Sequence, residues 1–207
     1  MNLRLFRHPL SGHAHRAELM LSLLGLPFES IDVDLVSGAQ RQASFLARNP
    51  LGQVPVLEDG DVIVPDSNAI LVYLASRYDP SGRWLPREPV AAAQVQRWLG
   101  VAAGPLLQGP AMARIEVMKR LPRDPQRHSA AATLFQVMDM QLASGPFITG
   151  ASPTIADVAL YTYTRHAPEG GVPLAPYPHL SAWLARIEAL PGFIGMHKLP
   201  DAPALGG

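Results

Sequence analysis

The 207-residue chain contains no cysteine. That absence excludes disulfide staples, cysteine-nucleophile catalysis and thiolate metal sites together, and leaves the redox compartment open. Charge of one sign is not in excess either. Lys plus Arg and Asp plus Glu are both 17, so the formal net charge is zero. Dedicated binding to nucleic acid or to an anionic membrane needs a basic surplus, and neither is expected. Long apolar runs are missing as well. The longest nearly apolar stretch, Leu19 to Phe28, contains Gly25 and Pro27 and falls well short of the ~20 residues that span a bilayer. Arg4 and Arg7 interrupt the N-terminus, so no signal peptide is expected and the protein is placed in the cytoplasm. There is no Walker loop, no G-x-G-x-x-G, no G-x-S-x-G and no H-E-x-x-H. His8, His13 and His15 are near neighbours, but their spacing fits no standard metal site and no local acid joins them, so no metal is expected.

What the chain does have is an apolar content of 48% against 16% charged residues, the balance of a globular protein. It divides into two unlike parts. Residues 3–7 alternate as a strand does, and residues 14–24 read as a helix stopped by Gly25 and Pro27. Residues 28–35 alternate again, which makes a strand–helix–strand unit with parallel strands. Two apolar runs, 53–57 and 61–64, flank Glu58-Asp59-Gly60 as a hairpin. A helix from Ser67 to Tyr78 follows, capped by Asp66 or Ser67. The segment Asp79-Pro80-Ser81-Gly82-Arg83-Trp84-Leu85-Pro86 reads as a linker. Beyond it only helical spacing persists, over 89–103, 127–143, 154–166 and 178–190. The expected architecture is therefore α/β followed by all-α: domain 1–79, linker 80–87 and helical domain 88–207.

One residue conflicts with its local pattern. Pro55 stands inside the apolar run Gln53-Val54-Pro55-Val56-Leu57, where it would remove a ladder donor. Either this is an edge strand, or the Val54–Pro55 bond is cis. A cis bond would turn the main chain of Val54 outward, where it could pair with an extended peptide-like ligand.

The segment Asn49-Pro50-Leu51-Gly52-Gln53-Val54-Pro55-Val56-Leu57, with Asp66-Ser67-Asn68-Ala69-Ile70 after it, resembles the glutathione-binding half of cytosolic glutathione transferases. Ser152-Pro153-Thr154-Ile155-Ala156-Asp157-Val158-Ala159 resembles the helix-capping motif of the same superfamily. The segments keep the family's order across almost the whole chain. The resemblance implies a thioredoxin-like domain followed by a helical domain, a homodimer, and glutathione as co-substrate. By that resemblance Val54 bonds the cysteinyl backbone of glutathione and Pro55 is the cis proline. Asp66 and Ser67 hold the γ-glutamyl end, Asp66 directly or across a dimer contact. Arg41 and Gln53, with Gln40 as a weaker candidate, lie near the glycyl carboxylate.

The thiol end is assigned to the loop Pro9-Leu10-Ser11-Gly12-His13-Ala14-His15-Arg16. A free thiol has a pKa of ~8.5, and a hydroxyl donor at a helix N-terminus lowers it by favouring the anion. Ser11 has that placement and resembles the catalytic hydroxyl of serine-type members. Tyrosine-type members are disfavoured because Phe6 occupies the strand. His13 is the rival, as a donor to sulfur or as a base, and His15 is read as packing. The Arg-, Ala-, Leu- and Pro-rich composition points to a GC-rich bacterial genome, hence a bacterial serine-type member. Thr154 and Asp157 are read as a capping box rather than as catalytic groups. A small hydrophobic electrophile, or alternatively a disulfide, is expected in an apolar cleft between domains, lined by Leu10, Trp98, Leu106, Met112 and His166. Two other readings stay open: a glutathione-dependent disulfide-bond reductase that needs no protein cysteine, and a non-catalytic glutathione-binding protein.

Overall fold

The computed structural model describes residues 2–199; Met1 and the end of the expected second domain, 200–207, lie outside the described residues. The chain forms two compact units, Met1–Gly82 with Pro191–His197, and Arg83–Leu190 with Lys198–Gly207.

The first unit is built on a four-stranded mixed sheet in the order β2-β1-β3-β4. Strand β1 (Leu3–Arg7) leads through helix α1 (Gly12–Leu23) to β2 (Phe28–Asp32), which lies parallel to β1 from Leu3↔Phe28 to Arg7↔Asp32. After a short helix α2 (Ala43–Leu46) come β3 (Val56–Asp59), β4 (Val62–Pro65) and α3 (Ser67–Tyr78). Strand β3 runs antiparallel to both β1 and β4. Cross-strand pairs alternate in face, as a period of two requires. Phe6 opposes Val56, and both join Val33 and Phe45 in a cluster that packs Ile31, Leu35, Ala39 and Val54. Leu5 opposes Leu57 and turns to the other face. Both are fully buried, as are Ala17, Met20 and Leu21 of α1 and Ile70, Leu71 and Leu74 of α3. Helices α1 and α3 pack against each other.

Three sequence expectations are corrected here. The ladder of β2 ends at Asp32 rather than residue 35, because the Asp34 carboxylate accepts from Val36 N and Ser37 N and folds the chain into a turn. Pro55 lies outside the ladder, since β3 begins at Val56. The hairpin turn is Gly60-Asp61, one step later than the spacing suggests.

The second unit is helical: α4 (Pro89–Ala103), α5 (Met112–Met118), α6 (Pro125–Leu142), α7 (Ile155–Arg165) and α8 (Pro178–Glu188). The central helix α7 buries Ile155 through Thr164 without a break. Asp157 at its third position accepts from Thr154 N (2.8 Å) while the Thr154 side chain accepts from Asp157 N, a capping box, and the carboxylate also accepts from the Thr154 hydroxyl. The same carboxylate accepts from Ile148 N (2.8 Å) and Trp183 Nε1 (2.9 Å), tying three segments together. Among the described residues no helix is long and apolar enough to cross a membrane.

Candidate active site

The first unit carries three of the sequence-derived elements. Ser11 is the N-cap of α1, with extended backbone (φ −86°, ψ 112°), and its Oγ accepts from Ala14 N at 3.2 Å. A hydroxyl that accepts this bond keeps its own proton to give. It stands at the positive dipole end of a 12-residue helix, where an anion is favoured. No ionisable group need sit there to stabilise a thiolate.

The second element is the loop before β3. The Val54–Pro55 peptide bond is cis. Among the described residues nothing hydrogen-bonds to the N–H or C=O of Val54, so both remain available to an extended ligand. Asn49, which is buried, holds this loop: its Nδ2 donates to Gln53 O (2.8 Å) and its Oδ1 accepts from Leu51 N (3.1 Å). Gly52 has φ +62°, and a Cβ there would meet the Gln40 carbonyl at 3.0 Å, so the turn needs glycine. Arg41 and Gln53 are exposed and Gln40 is half-buried. Among the described residues nothing hydrogen-bonds to the buried Gln40 Oε1.

The third element is the start of α3. Asp66 is its N-cap and accepts from Asn68 N (2.9 Å) and Ala69 N (3.0 Å) through one oxygen. Its φ of 76° is a costly conformation for a residue with a Cβ, of order 1–3 kcal/mol. Ser67, the first residue of the helix, is buried. Its Oγ lies 3.2 Å from His13 Nδ1, and Arg16 donates through Nη1 to both, at 3.3 Å and 3.1 Å. Burial, and secondly the Arg16 charge, lowers the pKa of His13 from 6.5 to about 3. His13 is therefore neutral and a poor base at physiological pH.

Sequence reasoning missed Arg16 and Asn49 as site residues. The available signal for Arg16 was a cation one turn after His13 on an otherwise apolar helix face. The three histidines do not converge. His8 Nδ1 accepts from Leu10 N, His13 bonds as described, and His15 Nε2 donates to Ile194 O at 3.0 Å.

The residues expected around the second substrate are distributed as follows. Leu10, in the first unit, and Met112, in the second, are half-buried. Trp98 and Leu106 are fully enclosed. His166 is buried in a polar cluster: its Nδ1 bonds Glu169 Oε1 (2.7 Å), and Arg114 Nε donates to Glu169 Oε2 (2.6 Å), all three side chains being buried. A recess of about 370 Å³ in the helical unit is lined by Ala132, Thr133, Gln136, Asp139, Met140, Pro176 and Tyr177, none of them among the expected residues.

Comparison with known proteins gives concordant matches. The family described as "Glutathione S-transferase, N-terminal domain" matches residues 1–76, and "Glutathione S-transferase, C-terminal domain" matches residues 125–186. The chain is 33% identical to glutathione S-transferase 3 of Zea mays, over 98% of this chain and 97% of that protein. Its fold is similar to the crystal structure of a glutathione S-transferase from Pseudomonas fluorescens, with TM-score 0.89 and 35% identity over 95% of this chain and 99% of that one. A glutathione transferase homologue from Drosophila mojavensis, solved with bound glutathione, matches with TM-score 0.84 and 27% identity over 92% and 89% of the two chains.

Proposed function

The chain belongs to the glutathione S-transferase family and is an enzyme of that family, and from that premise we propose that Ser11, at the N-terminus of α1, activates glutathione as a thiolate for attack on a small hydrophobic electrophile. The observation that carries this reading is the Ser11 hydroxyl at the N-cap of a long helix, in the same unit as the unpaired Val54 main chain and the Ser67 hydroxyl. The thiol loses its proton to solvent. The thiolate sulfur then forms a bond to the electrophilic carbon, and the leaving group departs with its electron pair. Because the chain has no cysteine, the reacting sulfur belongs to the ligand, and the protein binds and polarises it.

In this reading Val54 pairs with the cysteinyl backbone next to Pro55. Ser67 and Asp66 take the γ-glutamyl end. Arg41, Gln53 and Gln40 serve the glycyl carboxylate, Gln40 as a donor through its amide nitrogen. We place the enzyme in a bacterial cytoplasm as a homodimer. A monomer in light scattering would remove the dimer and any cross-subunit role for Asp66.

The decisive test is Ser11→Ala with glutathione and a chlorinated nitroaromatic. A charge-assisted hydrogen bond contributes ~1.5–3 kcal/mol, so kcat/KM should fall about 10- to 100-fold while circular dichroism stays unchanged. Unchanged turnover would remove Ser11 from the chemistry. Faster turnover of a small disulfide than of any electrophile would make the enzyme a reductase instead.

A further inference from the structure

Arg16 is 1% exposed, one turn beyond His13 on α1, and reaches across to the first residue of α3. A guanidinium carries only donors. At its 3.1 Å contact with His13, the ring nitrogen Nδ1 must therefore be the acceptor. A neutral imidazole that accepts at Nδ1 carries its proton on Nε2. Protonating Nδ1 would set an N–H against the guanidinium N–H and a second positive charge beside the first.

We propose that Arg16 is a positioning residue that fixes His13 as the Nε2–H tautomer of the neutral imidazole, so that His13 serves the thiol site only as a hydrogen-bond donor and not as a base. The inference rests on the reading that the α1 N-terminus receives the glutathione sulfur. It decides between the two roles, donor and base, that the sequence leaves open for His13.

The surroundings support it. On α1 itself the other ionisable groups are His15 and Glu18; His15 donates to Ile194 O, and Glu18 is paired with Arg7 of β1 at 2.6 Å. On α3 the nearest carboxylate by sequence, Asp66, caps its own helix. The Arg16 charge acts on the imidazole in the same direction as burial. Ser67 gains a second consequence. With Arg16 donating to its oxygen, the hydroxyl proton can turn to His13 Nδ1 or to a ligand carboxylate. Arg16 keeps Nδ1 occupied in either case. One guanidinium thus links the γ-glutamyl end of the site to the thiol end.

The test uses the full-length protein with ¹⁵N-labelled histidine and long-range ¹H–¹⁵N correlation spectra from about pH 5 to about pH 8. The His13 signals are identified by their loss in His13→Asn. The expected wild-type pattern is a neutral Nε2–H ring throughout. Arg16→Met should raise the titration midpoint of His13, burial still holding it below 6.5, and Arg16→Lys, which restores charge and a donor, should lower it again. In parallel, kcat/KM of the wild type should show no limb from a histidine. A wild-type ring protonated at Nδ1, or one that titrates within the range, overturns the proposal. So does a folded Arg16→Met protein with an unchanged tautomer and titration. If Arg16→Met does not fold, the wild-type and Arg16→Lys spectra decide alone. Absence of transferase turnover in the wild type would count against the functional reading and leave the tautomer result standing.

Discussion

Asp157 receives four hydrogen bonds on its two oxygens while fully enclosed in the helical unit. Burial raises its pKa, and the bonds from Ile148, Thr154 and Trp183 oppose that rise. Truncating it removes a helix cap, at ~1 kcal/mol, and strands the buried Ile148 and Trp183 donors, at ~1–3 kcal/mol each. Asp157→Ala should therefore cost about 3 kcal/mol or more in urea unfolding, and Asp157→Asn, which retains one acceptor, clearly less. Loss of turnover at unchanged stability would contradict the structural role. His13 gives a second residue-scale prediction, and its sign follows from linkage. Its folded pKa, about 3, lies below its unfolded value of 6.5, so the unfolded chain binds the proton first. Stability is intact above 6.5 and falls as the pH drops from there towards 3. Between about pH 7 and about pH 5 the wild type should lose about 2 kcal/mol relative to His13→Asn, the slope being ~1.4 kcal/mol per pH unit. Parallel stability curves for the two proteins would show that His13 is accessible to protons when folded.

At the scale of elements, the loop that presents Val54 is shaped by a single buried amide. Asn49→Ala would release Gln53 O and Leu51 N and let the segment ahead of β3 drift. The expected result is a severalfold higher KM for glutathione with kcat within about twofold, because only ligand positioning is lost. A fall in kcat alone would place Asn49 elsewhere in the mechanism. The elements themselves were legible where caps and periodicity agree. Helix α4 runs over 89–103 as its spacing suggests, and α3 starts at Ser67 behind the Asp66 cap. They were illegible where local chemistry argues against the outcome. Gly104, Pro105, Gly109 and Pro110 read as loop, yet Leu107–Ala111 is a π-helical segment leading into α5. That register accommodates Pro110, and Gly109 lets the chain approach α6, since a Cβ there would sit 2.8 Å from Ala131 N. In β2 the alternation continues through Val33 and Leu35 because both still face the apolar cluster, while the Asp34 turn has already ended the ladder. Arg16 was hidden for another reason: its partner Ser67 is 51 residues away, beyond the reach of any periodicity.

The whole molecule carries one connection that no local pattern announces. After leaving for the helical unit at Arg83, the chain returns with Pro191–His197 to the first. Pro191-Gly192 reads only as the stop of α8, yet Ser22 Oγ donates to Gly192 O at 2.6 Å and His15 Nε2 to Ile194 O at 3.0 Å, across 170 and 179 residues. Both donors lie on α1, the helix whose first turn carries Ser11. Gly192 is required for the approach: its φ is +82° and a Cβ would fall 2.6 Å from Ser22 O. The helix that carries the thiol site is thus steadied from the far end of the sequence. Truncation after Leu190 should lower stability by at least about 2 kcal/mol, counting two hydrogen bonds at ~1 kcal/mol each. Gly192→Ala should reproduce most of that loss, with faster amide hydrogen exchange concentrated in α1. If exchange in α1 is unchanged by either variant, the returning segment is a passenger on the first unit and α1 owes its order to α3 and the sheet alone.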